Sequence, residues 1–120
     1  MHYQSIKLNE EFSKINDLWS PKLIGEMNNH QFKIVKIAGD FEWHVHEETD
    51  KLFFVLEGEM IIDFRDGQVK ISKSEMYIVP KGVEIKPSAE KECHIMLMEP
   101  VLMEPGSEVI LPNLSPIAPN

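Results

Sequence analysis

From residue 22 onward the chain is cut into short stretches rich in branched and aromatic side chains, each closed by turn-forming residues. The stretches are 22–27, 31–38, 41–46, 51–56, 59–65, 68–72, 76–79, 84–88 and 92–98, with turn pairs at Asn28-Asn29, Gly39-Asp40, Asp66-Gly67 and Lys81-Gly82. They predict an all-β, antiparallel sandwich or barrel. Asp66-Gly67 between two such runs is a tight-hairpin signal. One helix is expected before the strands, over about 9–19. There Asn9 can cap, Glu10 and Glu11 suit the positive end, and Phe12, Ile15, Leu18 and Trp19 recur at helical spacing. Ser20-Pro21 ends it.

A chain of 120 residues suits one domain over 1–120, with the barrel at about 22–100. The tail over 104–120 carries Pro105, Pro112, Pro116 and Pro119 and is expected to be extended. The net charge of −8 disfavours nucleic acid and anionic membrane as partners. Cys93 is the single cysteine, so no disulfide forms within the chain and a reducing compartment is its natural setting. Residues 1–7 lack the apolar core of a signal peptide, and a cytoplasmic location is the expectation.

His44-Val45-His46 is the feature that bears on chemistry. Histidines two apart on a strand point to one face, so both imidazoles can converge on one ligand. With these two facing the lumen, Phe41, Trp43 and Val45 face outward. Gly39, His44, His46 and Gly58, followed by Pro80 and Gly82, resemble the two sequence motifs of the cupin family of small β-barrels. The likeness runs from about residue 22 to 100 and is closest to compact type-2 cupins. It implies a double-stranded β-helix, the cupin jelly roll. In that family a glutamate and a third histidine complete the His-x-His pair around a divalent metal. Here those positions hold Lys51 and Ile85, and the second motif's opening glycine and closing asparagine are Ser74 and Ala89.

The register that the resemblance implies sets Lys51, Phe53 and Val55 inward and Leu52, Phe54 and Leu56 outward. A divalent metal wants imidazole nitrogens and an anionic oxygen. An ammonium in place of the carboxylate reverses the sign of an interaction worth about 4 kcal/mol at ~4 Å and an effective dielectric of ~20. No tightly bound metal or other cofactor is therefore expected. If a divalent metal is present, His44 and His46 would be joined by Asp50, which a bulge would have to turn inward. Without metal, His44, His46, Lys51, Phe53 and Ile85 would bind a small anionic molecule in the lumen. Three other readings stay open: a proton-transferring isomerase or epimerase with a histidine base, a metal-dependent enzyme through Asp50, and a structural or regulatory dimer with a vestigial pocket. Outward Phe41, Trp43, Leu52, Phe54 and Leu56 need a cover. The helix supplies part of it and a second copy the rest, so a homodimer is expected. His94 and Cys93 read as structural core residues, and His2 and His30 as solvent-facing.

Overall fold

The computed structural model describes residues 2–103 and 109–110, and its strands form around one long central element. A helix α1 (Leu8–Ser13) precedes β1 (Lys22–Met27), β2 (His30–Asp40), β3 (His44–Val45), β4 (Lys51–Glu57), β5 (Glu59–Phe64), β6 (Gly67–Ser72), β7 (Met76–Val79) and β8 (Glu84–Pro100). A short pair, β9 (Leu102–Met103) with β10 (Val109–Ile110), follows. The remainder of the proline-rich tail lies outside the described residues. All the strand pairings are antiparallel, and the main sheet runs β1-β2-β8-β4-β7. β8 also pairs with β3 and β5 through its first half, and β5 continues to β6. One strand thereby joins the two leaves of an antiparallel jelly roll.

β8 is where strand reading and structure differ most. The two runs 84–88 and 92–98 are one strand, because the exposed Glu90-Lys91-Glu92 marks a bend and no break. At that bend the facing strand β2 shifts register between Ile37 and Gly39, and Gly39 takes φ of +82°. The irregularity absorbs two extra residues on β8 and turns the sheet. The Asp66-Gly67 hairpin forms, with Arg65 and Asp66 as its turn residues and Gly67 already paired to Phe64. The pairs Asn28-Asn29 and Lys81-Gly82 form turns, Asn28 at φ +55° and Gly82 at φ +81°.

The helix is shorter than its periodicity suggested, six residues in place of about eleven. Lys7, not Asn9, occupies the N-cap, and no side chain caps it. Beyond Lys14 the chain runs along β2: Lys36 Nζ donates to Ile15 O, and Trp19 N–H donates to Lys36 O at 2.8 Å. The Trp19 indole N–H donates to Ala38 O, and its ring stacks on Phe41. These bonds to a strand edge outcompete helical ones, which so short a helix could scarcely hold in water. Phe12 and Ile15 bury a second, smaller apolar cluster with Ile34, against which Leu56 and Met96 pack. Phe12 also stacks on His94, whose Nε2 bonds Glu92 at 2.8 Å, so His94 is a structural residue beneath the helix.

Gly58 closes β4 at φ +85°, where an added Cβ would lie 3.1 Å from Glu92 O and 3.3 Å from Cys93 Cα. Both the left-handed backbone and the tight approach select glycine. Gly58→Ala is expected to lower folding stability by about 1–3 kcal/mol, read as a lower denaturant midpoint with an unchanged m-value. An unchanged midpoint would mean that the bend relaxes freely.

Candidate functional site

His44 lies opposite Ile85 in the β3–β8 pair, and Ile85 is fully buried, so His44 faces the same interior. His46 follows on the same face. Its backbone carbonyl accepts from Gly82 N–H at 2.7 Å, which ties the Lys81-Gly82 turn to the histidine segment. The two imidazoles meet edge-to-face with centroids 5.0 Å apart, and Phe41 closes edge-on against His44. Phe41, read as an outward residue needing a cover, is covered by Trp19 and also touches His44. His44 Nδ1 lies 2.9 Å from Glu42 O. A carbonyl only accepts, so Nδ1 carries the proton and Nε2 is left as an acceptor.

β4 takes the register that turns Lys51, Phe53 and Val55 inward, all three buried, while Leu52, Phe54 and Leu56 are half-buried on the other face. Asp50 is exposed, and its Oδ1 accepts from Lys81 N–H at 2.9 Å. The bulge that would turn it inward does not form. Asp50 thus stabilises the turn that carries Gly82 and stands apart from the histidines.

Three lumen residues escaped the sequence reading. β2 and β8 place Gln31 opposite Glu99, and β8 and β4 pair Met98 with Leu52, which sets Glu99 across from Lys51. An inward polar row, Gln31–Glu99–Lys51, crosses three strands, and Lys33 stands one step further along β2. Lys51 Nζ is 3.6 Å from Glu99 Oε2, and Lys33 Nζ is 3.9 Å from Glu99 Oε1. Lys51 is 1% exposed and Glu99 3%. Lys51 Nζ also lies 5.7 Å from the Phe53 ring centroid. Two ammonium groups share one carboxylate, and neither ion pair is within hydrogen-bond distance.

Burial is the main force on the titrations here. It pushes Lys51 down to about 7, opposed by Glu99 and assisted by Lys33. It pushes His46 down to about 3, with Lys51 and His44 adding to the effect. His44 is lowered by burial, with the Glu42 carbonyl opposing. Both imidazoles are accordingly neutral near pH 7. Cys93, walled in below the lumen, is raised to about 12 by burial and then by Glu59, so its thiol is inert.

Among the described residues, buried polar atoms without a protein partner concentrate in this lumen: His44 Nε2, His46 Nδ1 and Nε2, Lys51 Nζ, Glu99 Oε1 and Gln31 Oε1. His30 Nδ1 is a further one, on a half-buried ring at the start of β2 and not the solvent-facing residue expected. The donor set does not fit a divalent metal. Among the described residues no three His, Cys, Asp or Glu side chains converge as ligands. Ile85 offers no lone pair, Asp50 is engaged elsewhere, and Glu99 is already held between two cations. On the outer side of the same row a hollow of about 240 Å³ is lined by His30, Asp50, Lys51, Leu52, Ile78 and Met98, with Pro100.

No helix among the described residues is long and apolar enough to cross a membrane. Residues 32–99 match the family model of the cupin domain. A cupin-2 domain protein of Shewanella frigidimarina NCIMB 400 has a similar structure, with a TM-score of 0.78 and 52% identity, covering 79% of this chain and 93% of that one. NMB1881 of Neisseria meningitidis is similar at a TM-score of 0.74 and 38% identity, over 81% of this chain and 99% of that one. The uncharacterised protein YdbB of Bacillus subtilis (strain 168) is 40% identical over 60 residues, 49% of this chain and 53% of that protein. The chain thus spans about half the length of this curated relative. With the His-x-His strand, the Pro-x-Gly turn and the antiparallel jelly roll in place, the chain belongs to the cupin family.

Proposed function

We propose that this cupin binds a small anionic molecule in its lumen without a tightly bound metal. Lys51 is the charge partner, His44 and His46 are hydrogen-bonding partners, and Phe53 and Ile85 are apolar walls. The observation that carries the reading is the buried Lys51 ammonium, which among the described residues has no hydrogen-bond partner and shares one carboxylate, Glu99, with Lys33. With Lys51 protonated, Lys33, Lys51 and Glu99 carry one net positive charge in a low-dielectric setting. A carboxylate or phosphate would balance it through charge-assisted hydrogen bonds. The depressed basicity of His46 speaks against a histidine general base at neutral pH. An enzymatic version of the reading places proton transfer on Lys51. The single buried thiol suits a reducing cytoplasm.

Organic acids and sugar phosphates screened by thermal shift on wild type and Lys51→Met test the proposal. A ligand at about a hundredfold its Kd should stabilise wild type by about 2.7 kcal/mol, a rise of several degrees, and the variant far less. If no acid stabilises wild type more than Lys51→Met, the binding reading is wrong and the vestigial-lumen reading replaces it.

We also propose a homodimer. Of the five apolar residues read as outward, three have covers within the chain. Phe41 lies against Trp19, Trp43 is stacked by Arg65 at 3.8 Å, and Leu56 lies against the helix cluster. Leu52 and Phe54 remain, and they continue an uncharged outer face. Across the sheet Phe32, Met98, Leu52 and Ile78 lie in one cross-strand row, and Ile34, Met96, Phe54 and Met76 in the next. Ile78 is 51% and Met76 59% exposed. A second copy offers the same face and would cover Leu52 and Ile78 in the first row and Phe54 and Met76 in the second, beyond the part that the helix covers. Ile78→Lys should give a folded monomer by sedimentation. A wild type that is monomeric at micromolar concentration would remove the dimer.

A further inference from the structure

The orphaned lumen atoms are not all of one kind, and their sorting narrows the ligand beyond its charge. Lys51 Nζ, in the ammonium form that an anion would restore, can only donate. Glu99 Oε1 can only accept, and so can His44 Nε2, because its Nδ1–H is committed to Glu42 O. His46 offers one donor and one acceptor. Gln31 Oε1, in the same inward row as Glu99, adds a further acceptor. A plain carboxylate has no proton to give. It would satisfy Lys51 and a donor on His46, and would leave Glu99 Oε1 and His44 Nε2 buried and unpaired. Each such group left unpaired weakens binding by about ten- to a hundredfold.

We infer that the lumen takes a small hydroxycarboxylate, its carboxylate on Lys51 and its hydroxyl donating its one proton to either His44 Nε2 or Glu99 Oε1. The inference rests on the lumen-binding reading proposed above and adds the donor that reading leaves open. A neutral hydroxyl beside Glu99 brings no second negative charge to a trio that can balance only one. The same accounting disfavours dianions, and it disfavours amines, whose charge would face Lys51 and Lys33.

Matched pairs isolate the hydroxyl: lactate against propionate and gluconate against hexanoate, with glycerol as the hydroxyl-only probe. Titration calorimetry on wild type should show the hydroxy acid of a pair bound about ten- to a hundredfold more tightly. His44→Phe keeps an aromatic ring and removes the acceptor, so this advantage should shrink severalfold while the plain acid binds as before. Equal binding of hydroxy and plain acids, both above glycerol, overturns the hydroxycarboxylate and leaves the anion reading standing. Glycerol binding as well as lactate overturns it as well, since the lumen would then read hydroxyls alone. Binding of none of the probes overturns both.

Discussion

Glu99→Leu is expected to cost about 1–3 kcal/mol of folding stability at neutral pH, the scale of a buried polar group left without its partner. Glu99 is the carboxylate shared by Lys51 and Lys33, and among the described residues no other forms an ion pair with either. Its loss leaves Lys51, 1% exposed, among Phe53, Ile85 and two neutral imidazoles. Lys33 has a little surface and can extend toward water, which Lys51 cannot. The second change Lys51→Met should therefore return most of the loss, and the double variant should be more stable than Glu99→Leu alone. Chemical denaturation of the four proteins measures that coupling. Additive losses would show that the Lys51–Glu99 contact carries no charge.

The dependence of stability on pH should be steep and should point upward. Lys51 falls from 10.5 in the unfolded chain to about 7 in the fold. Between those values the unfolded state holds a proton that the native state lacks, so stability rises with pH across the window. The slope approaches about 1.4 kcal/mol per pH unit for one proton. Below about pH 7 both states are protonated, and the cost of the buried cation is borne in full. His46, lowered from 6.5 to about 3, acts in the same direction at acid pH: stability is lost as pH falls through 6.5. Above pH 9 Cys93 opposes the trend, because its thiol ionises in the unfolded chain before it does in the fold. The clean interval is pH 7 to 9, where wild type should gain stability relative to Lys51→Met. Parallel curves for the two proteins over that interval would contradict a neutralised lysine.

The inward placement of His44, His46, Lys51, Phe53 and Ile85 was legible because the two histidines and the motif spacing fix strand parity on β3 and β4. Glu99, Lys33 and Gln31 were not, for a physical reason. β2 alternates Gln31, Lys33, Val35 and Ile37 on one face with Phe32 and Ile34 on the other, and the helix buries Ile34 from outside. With apolar residues on both faces, alternation cannot say which face is the interior. The rule that lysine and glutamine point to water then selects the wrong one. The signal was present in the shared parity of Gln31 and Lys33 with Val35 and Ile37. Glu99 needed the register between β8 and β4, which only the assembled sheet supplies. The helix was overread for the opposite reason: Trp19 sits at helical spacing, yet it is held by an indole bond to Ala38 O on β2.

The continuity of β8 bears on when the protein can fold during synthesis. Its two halves hold β3 and β5 on one leaf and β2 and β4 on the other, and they bring Ile85 and Glu99 to the lumen from opposite ends. Until residue 100 has left the ribosome, β1 and β2 and β5 and β6 can form hairpins, but no shared central strand exists, β3 has no partner and Lys51 has no counterion. Pairings so distant in sequence form slowly and late. A nascent chain halted before β8 should remain protease-sensitive and engage holding chaperones, then compact in one step once that strand emerges.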